Sequence, residues 1–176
     1  MLDDPRLAEA LPHVLIAYLK NVEGQEARRA MADEYRQAIA KIYGPSVDPA
    51  QVMAVAPVRA SATLRIMEAE KMKLLFGTDT PSNETIGNPP GLNGRLELGH
   101  WLDATVPLSR MLRAATLDNA TTFGLAADLG TIEVGKRADL LLLRGNPLTT
   151  IAAYDQIDTI FLDGKPISRG SLLPVN

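Results

Sequence analysis

Apolar residues recur at helical spacing through most of the first 115 positions and gather into short blocks after position 129. Leu7, Leu11, Val14, Leu15 and Tyr18 share one face of a first helix that Pro12 should kink. Residues 21–25 read as a polar loop. Ala27, Ala30, Met31, Tyr35, Ala38, Ile39 and Ile42 then form a single stripe, which predicts a helix over 25–42 ended by Gly44-Pro45. Asp48 is placed to cap the next helix, with Pro49 at its first position. Pro57 should divide it, leaving a second helix over about 59–72.

That helix leads into Lys73-Leu74-Leu75-Phe76-Gly77-Thr78-Asp79, an apolar run closed by Gly-Thr-Asp. A short apolar block of this kind predicts a buried strand at 73–77. Asp79 then stands where the strand gives way to a loop, the place from which α/β proteins present side chains to ligands. Residues 80–94 are rich in Pro, Gly, Asn and Ser and predict a long loop over that strand end. Helix is predicted again over 92–104. Another begins after Pro107 with Leu108, Met111, Leu112 and Ala115 inward. Thr116 is placed to cap a short last helix that Gly124 ends.

After Leu129 the pattern is that of strands. Residues 130–135 alternate, 138–143 and 157–162 are apolar blocks, and Asp163-Gly164 is a tight hairpin turn before Lys165-Pro166-Ile167. The expectation is a small antiparallel β unit that does not continue the wound α/β layer.

Composition narrows the chemistry. A net charge of −3 offers no basic footprint for nucleic acid. The absence of cysteine excludes thiolate ligands and nucleophiles. No apolar run is long enough for a membrane helix, and the acidic start is no secretory leader, so a soluble cytoplasmic product is the default expectation. The two histidines, His13 and His100, stand far apart and outside any His-x-His or His-Glu-x-x-His pattern. Both read as surface or packing residues. No Gly-x-Ser-x-Gly occurs, and Asp33-Glu34, Glu68/Glu70 and Asp155/Asp158 read as solvated surface, which weakens a metal-free hydrolase.

Residues 114–120, Gly124-Leu125 and 129–140, with Phe76-Gly77-Thr78-Asp79 upstream, resemble the C-terminal signature of the amidohydrolase superfamily, in its imidazolonepropionase-like and prolidase-like branch. The resemblance implies an α/β fold: the last helix-strand-helix units of a metal-dependent hydrolase (β/α)8 barrel at 1–127, helical insertion included, and strands of a small composite β-sandwich domain at 128–176. It implies hydrolysis of carbon–nitrogen bonds in amides, cyclic amides or X-Pro dipeptides. It gives Asp79 the place of the metal-binding, proton-accepting acid at the end of the last barrel strand, with a divalent metal, zinc foremost, in the complete enzyme.

The family's His-x-His and later His ligands have no counterpart here, and a whole barrel takes about 250 residues. The resemblance therefore implies a C-terminal portion that needs an N-terminal partner segment and by itself holds no metal and lacks activity. The alternative is a non-catalytic fragment or assembly subunit. Without neighbouring strands, residues 73–79 are expected to pack poorly.

Overall fold

The computed structural model describes residues 16–17, 20–78 and 93–172. Most of the first expected helix, His13 included, lies outside them, as do Asp79 and most of the loop over 80–94.

Helix α1 spans Val22–Tyr43. It starts earlier than the polar residues suggested, because the Asn21 carboxamide oxygen accepts the Gly24 N–H at 2.8 Å and turns the expected loop into a cap. Gly44, at φ +97°, closes it. Helix α2 spans Pro49–Ala69, with Asp48 accepting the Ala50 N–H as expected. Pro57 does not split α2; one missing N–H is tolerated within a continuous 21-residue helix. Lys71, at φ +54°, then turns the chain out, with Met72 N–H returning to the Met67 carbonyl at 2.9 Å.

Residues 72–78 form no regular element and are not the predicted strand. A strand needs a backbone ladder, and no described segment pairs with this one. Its packing also differs from expectation. Leu74 is 2% exposed at the centre of the core, whereas Leu75 is 42% exposed.

Helix α3 spans Asn93–Asp103 and helix α4 Leu108–Arg113. A π-turn at Ala114–Asp118 joins α4 to the short helix α5, Asn119–Thr122. Thr116 does not act as a cap: its hydroxyl donates back to the Leu112 carbonyl at 2.7 Å inside the continuous helix. The inward face is carried by Met111 and Ala114, not by Ala115, which is exposed.

Residues 130–135 form bends and a turn, not the predicted strand. Gly130 is held at φ +96° so tightly against the helix that an added Cβ would lie 2.7 Å from the Ala120 Cβ. Among the described residues the strands are β1 Leu140–Leu143, β2 Ile157–Leu162 and β3 Lys165–Ile167, in an antiparallel sheet ordered β1-β2-β3. The Asp163-Gly164 turn between β2 and β3 has φ of +51° and +74°, the two left-handed residues of a tight hairpin.

The main core joins the helical and sheet regions. Leu74, Leu98, Trp101, Ala104, Val106, Met111, Ala114 and Ile151 form one buried cluster, with Leu64, Met67, Phe76, Leu108 and Tyr154 against it. A link from the sheet side is the 3-10 turn Ile151–Asp155, which lies between β1 and β2 and sends Ile151 into the helical core.

Candidate functional site

The sequence places the candidate acid just after Thr78, and the described residues show how the chain is brought there. Segment 72–78 lacks strand neighbours in the described structure, so its carbonyls and side chains are met from the helical layer. At its start, Arg110 of α4 donates from Nη2 to the Met72 carbonyl at 2.6 Å and from Nε to the Glu68 carboxylate at 2.9 Å. Next to it, Lys73 Nζ donates to the Thr122 hydroxyl at 3.0 Å. Near its end, Asn119 Nδ2 donates to the Phe76 carbonyl at 2.8 Å. The Phe76 ring meets Trp101 edge-on at a centroid distance of 5.6 Å, and Trp101 is fixed in turn by its indole N–H to Glu97 at 2.7 Å.

These tethers are polar groups at the edge of the buried apolar cluster. Glu68 accepts from Lys71 at 2.8 Å as well as from Arg110. The Lys71 hydrogen bond, together with that of Arg110, holds its carboxyl below the usual carboxylate range against the opposing effect of burial. Glu68 is thus an ionised strut between α2, α4 and the start of segment 72–78. It is not poised as a proton donor.

Asn119 is different. Its Oδ1 is buried and has no hydrogen-bond partner, while its Nδ2 is engaged. Sequence periodicity could not single out either Arg110 or Asn119, because their partners are backbone carbonyls 38 and 43 residues away.

On its other side the segment borders a cavity of about 810 Å³ between the helices and the sheet, where Phe76, Leu98, Leu112, Leu129 and Phe161 stand among the lining residues. The charged groups at its rim are matched: Arg95 makes a two-bond pair with Asp155 at 2.9 and 3.2 Å, and Arg137 pairs with Asp139 at 2.7 Å. Burial raises the pKa of Tyr154, another lining residue. The cleft is therefore mainly apolar, and the charges that line it among the described residues are already committed to one another.

Asp79, the predicted catalytic and metal-binding residue, lies outside the described residues. His100 is exposed on α3. Among the described residues no group of three His, Cys, Asp or Glu side chains could hold a metal ion. The described part of the chain therefore does not by itself fit a hydrolytic metal. No helix among the described residues is long and apolar enough to cross a membrane.

Comparison with known proteins places this arrangement. A family model described as the amidohydrolase family matches residues 21–167. A 5-methylthioadenosine/S-adenosylhomocysteine deaminase of Desulforudis audaxviator is 37% identical over 39% of this chain and 19% of its own length. An imidazolonepropionase of Shouchella clausii is 36% identical over 36% of this chain and 15% of its own. Among solved structures, a Xaa-Pro dipeptidase with methionine bound in its active site superposes with a TM-score of 0.58 at 27% identity, covering 78% of this chain and 32% of that one. Phenylurea hydrolase B superposes at 0.59 with 22% identity, covering 80% and 32%, a likeness of fold alone. The chain thus spans about a third of these structures and less than a fifth of these two curated relatives.

Proposed function

Because the chain belongs to the amidohydrolase family, we propose that it is the C-terminal portion of a hydrolase acting on carbon–nitrogen bonds and that Asp79 is its contribution to the reaction centre. The observation that carries this reading is the position of Asp79 in the sequence, directly after segment 72–78, which is tied to the helical layer at Met72 and at Phe76. A reacting carboxylate needs a fixed base, and this segment has one. In the proposed division, residues 1–127 complete a barrel and residues 128–176 belong to a small β-sandwich domain.

The similar proteins include a deaminase, an imidazolonepropionase and an X-Pro dipeptidase. Cleavage of a carbon–nitrogen bond by water is the chemistry common to them, so the proposed substrates are small amides, cyclic amides or X-Pro dipeptides. Asp79 is proposed as metal ligand and general base. The described residues do not assemble a metal site, so the imidazole donors and most of the substrate pocket are proposed to come from polypeptide not contained in these 176 residues.

The test combines the chain with the N-terminal two thirds of an amidohydrolase barrel and measures zinc content and hydrolysis of an X-Pro dipeptide and a cyclic amide. Turnover is expected only in the combined protein. Asp79→Asn is expected to lower kcat by about 10²–10⁴-fold, the usual contribution of a positioned base. Full turnover in that variant would remove Asp79 from the mechanism.

A second reading, an assembly subunit without chemistry of its own, is favoured by the exposure of Tyr35 at 42%, Ile42 at 71% and Val58 at 67% on the two long helices. Binding of a partner chain with no hydrolysis in any combination would select it.

A further inference from the structure

Asn119 combines two features that the need to anchor a carbonyl does not require. It is the first residue after the π-turn Ala114–Asp118. One extra residue in a helical turn rotates the rest of the helix by about 100°, and such turns are frequent at functional sites. Its side chain is also half matched, with Nδ2 on the Phe76 carbonyl at 2.8 Å and Oδ1 buried without a partner. A serine or threonine hydroxyl could satisfy that carbonyl without bringing a second buried acceptor. What the planar amide adds is direction: an N–H of a rigid plane, carried on a helix, aims at one carbonyl and holds it there.

The contacts of Arg110 with Met72 and of Lys73 with Thr122 act at the opposite end of the segment. Asn119 meets the backbone at Phe76, three residues before Asp79.

We propose that Asn119 is a positioning residue: through the Phe76 carbonyl it sets the end of segment 72–78, and so the direction in which the chain continues to Asp79. This rests on the catalytic role proposed for Asp79.

Asn119→Asp keeps the size of the side chain but turns an acceptor toward the carbonyl. Asn119→Ser keeps a donor. Thr122→Val removes the exposed Lys73 tether and serves as the control. In the chain itself, Asn119→Asp is expected to abolish the nuclear Overhauser contact between the Phe76 and Trp101 rings at an unchanged unfolding midpoint, with Thr122→Val unchanged. In the barrel-completed protein, Asn119→Asp is expected to lower kcat on the order of 10²-fold with KM within about twofold, and Asn119→Ser to recover part of that loss.

A Phe76–Trp101 ring contact of unchanged strength in Asn119→Asp overturns the proposal, as does an equal loss in both Asn119 variants that tracks their unfolding midpoints. Should Asp79→Asn retain turnover, the acid's role fails instead, and the ring-contact measurement still decides whether Asn119 orders the segment.

Discussion

At the scale of single residues, the polar side chains that matter serve backbone groups more than substrates. Asp139 shows this best. Its Oδ1 accepts the Asp163 N–H at 2.8 Å and its Oδ2 accepts Arg137 Nε at 2.8 Å, so one carboxylate locks the β2–β3 turn to the approach of β1. The hydrogen bond from Asp163, aided by that from Arg137, holds its carboxyl below the ordinary range against a smaller loss of solvation. A carboxyl depressed in the folded state takes up protons more readily when unfolded. Its stabilisation is therefore complete above the ordinary aspartate value of about 4 and is lost as pH falls through the folded value. Asp139→Asn is expected to lower the urea midpoint at pH 7, and the gap to the parent should close below about pH 4. A gap independent of pH would mean that the charge contributes nothing.

At the scale of elements, the decisive contact is between the last helix and the loop after it. Gly130 sits at φ +96°, and a Cβ there would lie 2.7 Å from the Ala120 Cβ and 3.0 Å from the Leu117 Cα. Gly130→Ala should destabilise by about 1–3 kcal/mol through overpacking, with the left-handed backbone adding to it. Gly99 lies inside α3 with nothing within 4 Å of an added Cβ. Gly99→Ala should instead stabilise by about 0.5–1 kcal/mol, because alanine restricts the unfolded chain and suits a helix. Paired denaturant titrations check both signs, and a stabilised Gly130→Ala would refute the close approach.

At the scale of the molecule, the described residues leave much apolar surface open. The stripe on α1 buries Ile39 at 5% exposure, yet Tyr35 and Ile42 of the same stripe stay at 42% and 71%. Strand β1 pairs along one edge only, and its Leu141 and Leu142 are 51% and 52% exposed. Exposed apolar helices and an unpaired edge strand favour association with other chains. Sedimentation of the purified chain is expected to show concentration-dependent self-association that an added N-terminal barrel segment suppresses. A monodisperse monomer at high concentration would show that these surfaces need no cover.

What could be read from the sequence was whatever is encoded locally. Asp48-Pro49, Gly44, Gly124 and Asp163-Gly164 act through their own backbone angles and nearest N–H groups, so their helix ends and hairpin turn emerged where the residues suggested. The family, too, was legible, because its signature is a string of such turns and short blocks, and the match over 21–167 bears it out. Tertiary structure decided the rest. Whether 73–77 becomes a strand depends on a neighbour to bond with, and whether Thr116 caps or continues a helix depends on how α4 packs. The tie of Asn119 to Phe76 joins residues 43 positions apart. Contacts of that range leave no periodicity along the chain, because the hydrogen bond is set by the approach of two elements and not by the spacing within either.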